Sequence, residues 1–206
     1  MRAVLSIVIG YLFGSISPST AISKRKSRNL RENGTGNLGA TNTMLVFGKW
    51  YGIIVMIIDM LKAYLSVRIA RLLFPNLAVA GLLAGCGSVV GHIFPLYHNF
   101  KGGKGLACFG GMILALDINI FSVLLTLGVI AVFVSDYAVA LPVSAAFSAP
   151  AVFGWYYAST AAFGILLIPC TVMLFKHRDN FRRIKDGTEI KFRSFVRTKI
   201  RKNRSE

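Results

Sequence analysis

Seven apolar stretches follow one another along the chain, at approximately 3–22, 50–74, 76–97, 105–116, 118–135, 137–157 and 161–175. With 54% hydrophobic residues, only 16% charged and a mean hydropathy of +0.60, a soluble domain of 206 residues would rarely look like this. The stretches predict an all-α integral membrane protein of about seven transmembrane helices. Several are shorter than the roughly 20 residues that cross a 30 Å hydrocarbon core, so tilted, broken or partial crossings are expected. The stretch 105–116, which contains Gly110 and Gly111, is the weakest. No linker composition divides the chain, which predicts one domain, 1–206, ending in a basic tail from 176 to 206.

The formal net charge of +16 would point to nucleic acid in a soluble protein, but here the cations sit at the ends of apolar stretches. Twelve of the 24 fall from Lys176 onward, and Lys24, Arg25, Lys26, Arg28 and Arg31 crowd behind the first stretch. That is the pattern of the positive-inside rule. Seven crossings put the N-terminus outside and the C-terminus in the cytoplasm, with loops 23–49 and 98–104 and the tail on the cytoplasmic side. Only Arg2, Arg68 and Arg71 fall toward the other face. The expected partners are therefore membrane lipids, whose anionic headgroups attract each such cation by about 1 kcal/mol, and not nucleic acid. Residues 2–21 imitate a secretory signal, but the basic run behind them hinders translocation, which predicts a retained first helix.

Two glycine-rich loops lie between the apolar stretches: Gly34-Thr35-Gly36-Asn37-Leu38-Gly39-Ala40-Thr41-Asn42 and His98-Asn99-Phe100-Lys101-Gly102-Gly103-Lys104-Gly105. Glycine lets several backbone N–H groups turn toward one anion, lysine adds charge, and asparagine adds a donor. Neither loop holds a carboxylate, so both read as phosphate-handling segments at a membrane surface. Gly34, Gly36 and Gly39 match G-x-G-x-x-G, with Asp59 downstream, but no strand leads into Gly34 and Asp59 lies inside an apolar stretch. Gly103-Lys104 fails the P-loop pattern because Gly105 stands where Ser or Thr is required. No nucleophile elbow is present, and no His is followed five positions later by Asp, so covalent acyl-enzyme chemistry has no nucleophile. Cys86, Cys108 and Cys170 are scattered one to a stretch and read as small core residues; His92, His98 and His177 lack a second ligand at helical spacing. No metal and no cofactor are expected.

Thr35 to Asn42, then Gly91-His92-Ile93-Phe94-Pro95 running into Phe100 to Gly105, then His177-Arg178-Asp179-Asn180 with Gly187-Thr188-Glu189-Ile190-Lys191, resembles the bacterial acyl-phosphate:glycerol-3-phosphate acyltransferases. Gly14-Ser15-Ile16-Ser17-Pro18 and Asp59 with Lys62 are also similar to that family, so the resemblance runs in order along nearly the whole chain. It implies a multi-pass protein of the bacterial inner membrane, acting as a monomer with its active site on the cytoplasmic side. The substrates would be acyl phosphate and glycerol 3-phosphate. Acyl transfer to the sn-1 hydroxyl would give lysophosphatidate and phosphate, the first step of phospholipid synthesis. An acyl phosphate is already activated, so the enzyme need mainly align two anions and stabilise charge at the carbonyl. The resemblance implies catalytic roles for Lys104, His177 and Asn180, and substrate or phosphate binding by Thr35, Gly36, Asn37, Asn42, His92, Lys101, Gly102 and Gly103.

Each residue also has a structural use. Asn37 and Asn42 serve equally as turn or cap residues, Lys101 and Lys104 as positive-inside charges, and His92 as a structural hydrogen-bonding group. Asp59 and Lys62, three apart on one helix face, would each cost roughly 2.5–3.5 kcal/mol alone at mid-membrane, so mutual neutralisation is expected. The chain also departs from the family pattern. Thr35 replaces a usual Ser, Leu45 a usual Arg, Asp136 a usual Arg, and Val139 and Pro142 usual Ser residues. Losing one charge-assisted bond to phosphate costs roughly 1.5–3 kcal/mol, about 10- to 150-fold in binding. Two readings stand at this point: an active acyltransferase with compensating contacts, or a divergent paralogue that binds lipid or phosphate with another substrate or none. A transporter is poorly supported, because ionisable residues at mid-stretch are almost confined to Asp59 and Lys62.

Overall fold

The computed structural model describes residues 1–194 and is all-helical there, apart from one isolated bridge between Tyr137 and Lys191. The part of the basic tail from 195 onward lies outside the described residues. Ten α-helices follow in order: α1 Arg2–Ser15, α2 Pro18–Arg25, α3 Ala40–Phe47, α4 Lys49–Leu73, α5 Ala80–Ile93, α6 Leu106–Leu116, α7 Ile118–Ser135, α8 Ala140–Tyr156, α9 Thr160–Lys176 and α10 Arg178–Lys185. Each of the seven apolar stretches is helical. Among the described residues, three helical segments are long and apolar enough to cross a membrane, Arg2–Arg25, Ala80–His98 and Ile118–Ser135, and the bent pair α9 and α10 makes a fourth if it is one span. At 11 residues α6 is about 16 Å long, half of a ~30 Å hydrocarbon core.

The first stretch is broken where Pro18 removes a backbone donor and forces its predecessor into extended backbone. Ser17 (φ −116°, ψ 96°) caps α2 through its side chain, with Pro18 in the first turn. The break leaves the Ile16 carbonyl without its helical partner, and the Lys62 ammonium donates to it at 2.6 Å. The expected Asp59–Lys62 neutralisation is present, at 2.7 Å within α4, and His92 Nδ1 of α5 joins at 3.4 Å from the carboxylate.

Between helices in lipid there is little hydrophobic force, and close backbone packing takes its place. Here α1 and α5 run parallel and touch through Gly10 and Gly14 on one side and Gly87 and Gly91 on the other. A Cβ on Gly10 would lie 1.8 Å from the Ala84 carbonyl oxygen, on Gly14 2.1 Å from that of Ser88, on Gly87 2.4 Å from that of Ile7, and on Gly91 2.3 Å from that of Tyr11. Around this pair, α4, α6, α8 and α9 enclose the main apolar core, which includes Val67, Val89, Phe109, Met112, Leu166 and Met173. The three cysteines are free and buried.

Gly14→Val should separate α1 from α5 and destabilise the fold at the upper end of roughly 1–3 kcal/mol or beyond. Gly164→Ala, where nothing lies within 4 Å of an added Cβ, should leave thermal denaturation in lipid unchanged or slightly improved.

Candidate active site

The two glycine loops meet each other. Arg31 donates to the carbonyls of His98 (3.1 Å) and Lys101 (3.0 Å), strapping the first loop to the second. Asn42 builds the first loop from inside: fully buried, its Oδ1 accepts from the Thr35 N–H at 2.7 Å and its Nδ2 donates to the carbonyls of Leu30 and Asn33. Both hydrogen-bonding ends of Asn42 are thus committed to the loop, which gives it a structural role there. Gly34 (φ 65°) and Gly36 (φ 71°) take the left-handed backbone this turn requires.

The second loop is also unlike the expected anion cradle. The N–H groups of Gly102 and Gly103 donate at 3.1 Å to the carbonyls of Ile93 and His92, so these amides are spent on the fold. Their glycines are needed for closeness: a Cβ on Gly102 would lie 2.0 Å from the His92 carbonyl oxygen, and on Gly103 2.2 Å from His92 Nε2. Lys101 is exposed at the surface and lines neither of the two cavities described below. Lys101, Gly102 and Gly103 thus shape the turn that delivers Lys104.

Two cavities, of about 500 and 520 Å³, adjoin at Asn37, Thr41, Lys104 and His177. The first is mainly apolar, lined by Met60, Phe109, Ile113, Phe121 and Leu124, with Asp59 and His92 also at its lining. The second mixes Thr35, Asn180, Arg183 and Glu189 with the apolar Leu45, Val132, Val139, Pro142 and Phe192.

Lys104 is half-buried and its ammonium donates to Asn180 Oδ1. Asn180 Nδ2 donates to Glu189 Oε1 at 2.6 Å, and Arg183 Nε donates to Glu189 Oε2 at 2.6 Å. A continuous chain from Lys104 to Arg183 results, with two cations served by one carboxylate. Burial, and then the Arg183 charge, push the Lys104 ammonium below its usual range, while Glu189 and Asp179 act in the other direction. His177, 5% exposed, ends α9 with Nδ1 at 2.8 Å from the Met173 carbonyl. A carbonyl accepts only, so Nδ1 carries the proton and Nε2 is the acceptor. Burial first, and the Lys104 charge beside it, push the imidazole down to about 4, so it is neutral at pH 7.

Asn37, Thr35, Lys104, His177, Asn180 and His92 all line a cavity, whereas Gly36 is a turn residue at the surface. His92 lies beneath the second loop, its Nδ1 3.2 Å from the Lys62 ammonium. Asp59, His92 and Cys108 bring three donor atoms within 4.8 Å, a spacing that fits a metal, but Lys62 already supplies the cation there and the Cys108 thiol donates to the Asp59 carbonyl. Arg183 is a functional candidate that sequence reading missed, and Glu189 entered there only as part of a motif, without a role. The signal was present in the three-residue spacing of Asn180 and Arg183, which puts both on one face of α10.

The departures from the family pattern converge. Leu45, Val139 and Pro142 all line the second cavity. Asp136 ends α7 in left-handed backbone (φ 63°), accepts the Arg193 N–H on its side chain and the Phe192 N–H on its carbonyl, both at 2.8 Å, and so holds Phe192 in the lining of that cavity.

The family model described as glycerol-3-phosphate acyltransferase matches residues 4–187. The chain is 34% identical over 219 residues to a glycerol-3-phosphate acyltransferase of Enterococcus faecalis, covering 97% of this chain and 96% of that one. It is 32% identical to one of Aquifex aeolicus, covering 93% and 100%. Among solved structures, it is similar to PlsY (YgiH), an integral membrane glycerol 3-phosphate acyltransferase, in its glycerol 3-phosphate form (TM-score 0.85, 29% identity, 93% and 96% covered). The lysophosphatidic acid form gives a TM-score of 0.82 at 27% identity, with 93% and 95% covered. The chain belongs to the glycerol-3-phosphate acyltransferase family.

Proposed function

We propose that the protein transfers a fatty acyl group from acyl phosphate to the sn-1 hydroxyl of glycerol 3-phosphate. The observation that carries this reading is Lys104, a cation at the junction of an apolar cavity and one of mixed character that holds Asn180, Arg183 and Glu189, tied through Asn180 to Glu189 and Arg183. The apolar cavity suits the acyl chain, because each buried CH₂ contributes roughly 0.8 kcal/mol. Lys104 and Asn37 suit the phosphate at its mouth, and Thr35, Asn180 and Arg183 suit the phosphate of the acceptor. In the transfer, the acceptor oxygen bonds to the carbonyl carbon, the bond from that carbon to the phosphate oxygen breaks, and the departing phosphate takes the hydroxyl proton. His177 Nε2, neutral and aimed at the junction, accepts from the hydroxyl and orients it; an imidazole titrating near 4 is too weak a base for more.

In the same reading α1 with α2, α4, α5, α6, α7, α8 and α9 make seven crossings of the bacterial inner membrane, N-terminus outside. The clustering of cations at the end of α2 and along α10 supports a cytoplasmic active site. The shortness of α6 recesses Lys104 below the headgroup plane, where water is scarce and its charge acts more strongly.

Phosphate release from palmitoyl phosphate by the purified protein in lipid should depend on glycerol 3-phosphate and be matched by equimolar lysophosphatidate. Lys104→Ala and Asn37→Ala should each reduce kcat/KM, Lys104→Ala by roughly 10- to 150-fold. Absence of turnover in folded wild-type protein would overturn the reading.

His177 makes a second expectation. Its folded value near 4 lies below the ordinary 6.5, so the unfolded chain binds this proton first as pH falls. Stability is whole above about pH 6.5 and declines toward pH 4, by up to about 3 kcal/mol. His177→Asn should remove that part of the decline in thermal melts between pH 7 and pH 5. It should lower kcat without moving the pH–rate profile above pH 5.5; a displaced limb would make His177 the proton acceptor.

A further inference from the structure

We propose that Gly110 sets the usable depth of the apolar cavity and so the acyl-chain length that the enzyme handles, a reading that rests on the acyl chain occupying that cavity. Adjacent glycines on α6 are used in opposite ways. A Cβ on Gly111 would lie 2.0 Å from the Met60 carbonyl oxygen and 2.7 Å from its carbonyl carbon, so Gly111 is required for α6 to lie against the α4 backbone. At Gly110 the nearest atoms to an added Cβ are Phe121 Cε2 at 3.7 Å and Met60 Cε at 3.9 Å, both in ordinary contact range and both at the ends of side chains. Packing therefore does not demand glycine at 110.

Backbone conformation does not demand it either, because Gly110 lies in the interior of α6 and is not among the glycines with positive φ. Glycine weakens a helix interior relative to alanine. What remains is the space itself. Gly110 lines the apolar cavity between Met60 and Phe121, with Ile113 nearly one turn deeper. Five residues beyond Gly105, it lies about 7 Å down the α6 axis from the loop that carries Lys104. A side chain there closes the lower cavity and leaves the upper part, next to Lys104, open to a short chain.

The test compares acyl transfer to glycerol 3-phosphate from decanoyl, lauroyl and palmitoyl phosphate, in lipid, for wild type, Gly110→Ala and Gly110→Leu. Gly110→Leu should lower kcat/KM for palmitoyl phosphate about tenfold or more while keeping that for decanoyl phosphate within about twofold of wild type. Gly110→Ala should move the profile in the same direction by a smaller factor and melt no lower than wild type, which keeps the proposal testable if the leucine variant fails to fold. A folded variant whose three activities stay in the wild-type ratio overturns the depth role while leaving the acyltransferase reading intact. Wild-type protein that transfers no chain of any length overturns that reading and this proposal together.

Discussion

The parallel backbone contact of α1 with α5 is the constraint from which the site is built. In lipid, two helices gain little by hiding apolar surface from solvent that is itself apolar, so they associate where small residues let backbones approach. Gly10, Gly14, Gly87 and Gly91 supply that approach, and its consequences run toward the glycine loops. Tyr11 reaches the Phe94 carbonyl at 2.9 Å, and Ser15 Oγ accepts from the Leu96 N–H at 3.3 Å, so the chain leaving α5 is fixed to α1 on both sides. The carbonyl freed at Ile16 falls beside Lys62. The turn that follows, with Gly102 and Gly103 laid against His92, is held from beneath before any substrate arrives.

Charge is distributed in two tiers. The lower, Asp59 with Lys62 and His92, is buried; removing one member of such a group typically costs 3–5 kcal/mol because its partner is left as an uncompensated charge. It stiffens the floor under Gly103. The upper tier, Lys104 and Arg183 against Glu189, carries an excess of one positive charge where two anions must approach each other. Two anions repel, and a preorganised cation between them offsets that repulsion without any reorganisation at the moment of reaction.

The helices were legible because hydropathy reports which segments avoid water, and the bounds of α4, α6 and α7 follow the apolar stretches within a residue or two. Asp59 and Lys62 were legible as a pair because helical spacing alone brings them together. What the loops do with their polar groups was not. Glycine, lysine and asparagine in sequence describe donors that exist, whereas folding decides which remain free: the amides of Gly102 and Gly103 and both donors of Asn42 are consumed internally. The helices α3 and α10, eight residues each, were too short to stand out as apolar stretches, and Arg183 was lost among the cations of the tail. The G-x-x-x-G spacing of Gly10 with Gly14 and of Gly87 with Gly91 was readable from sequence, but its meaning depends on a partner helix that only the fold identifies.

The positions that depart from the family pattern gain a physical account from the same geometry. Leu45, Val139 and Pro142 stand where the family pattern has a cation and two hydroxyls, and all three line the second cavity. Arg183 lines the same cavity, its guanidinium ordered by Glu189, which is coupled through Asn180 to Lys104. An arginine is an always-charged donor fork suited to phosphate, so the cavity holds a cation although position 45 carries none. Asp136, in a left-handed conformation that aspartate tolerates better than most residues, stands where the family pattern has a cation and serves as an anchor that holds Phe192 in the lining of the cavity. The cavity thereby combines a charged cluster with a largely apolar lining, an arrangement compatible with an enzyme whose acceptor is wholly polar and whose product carries a chain.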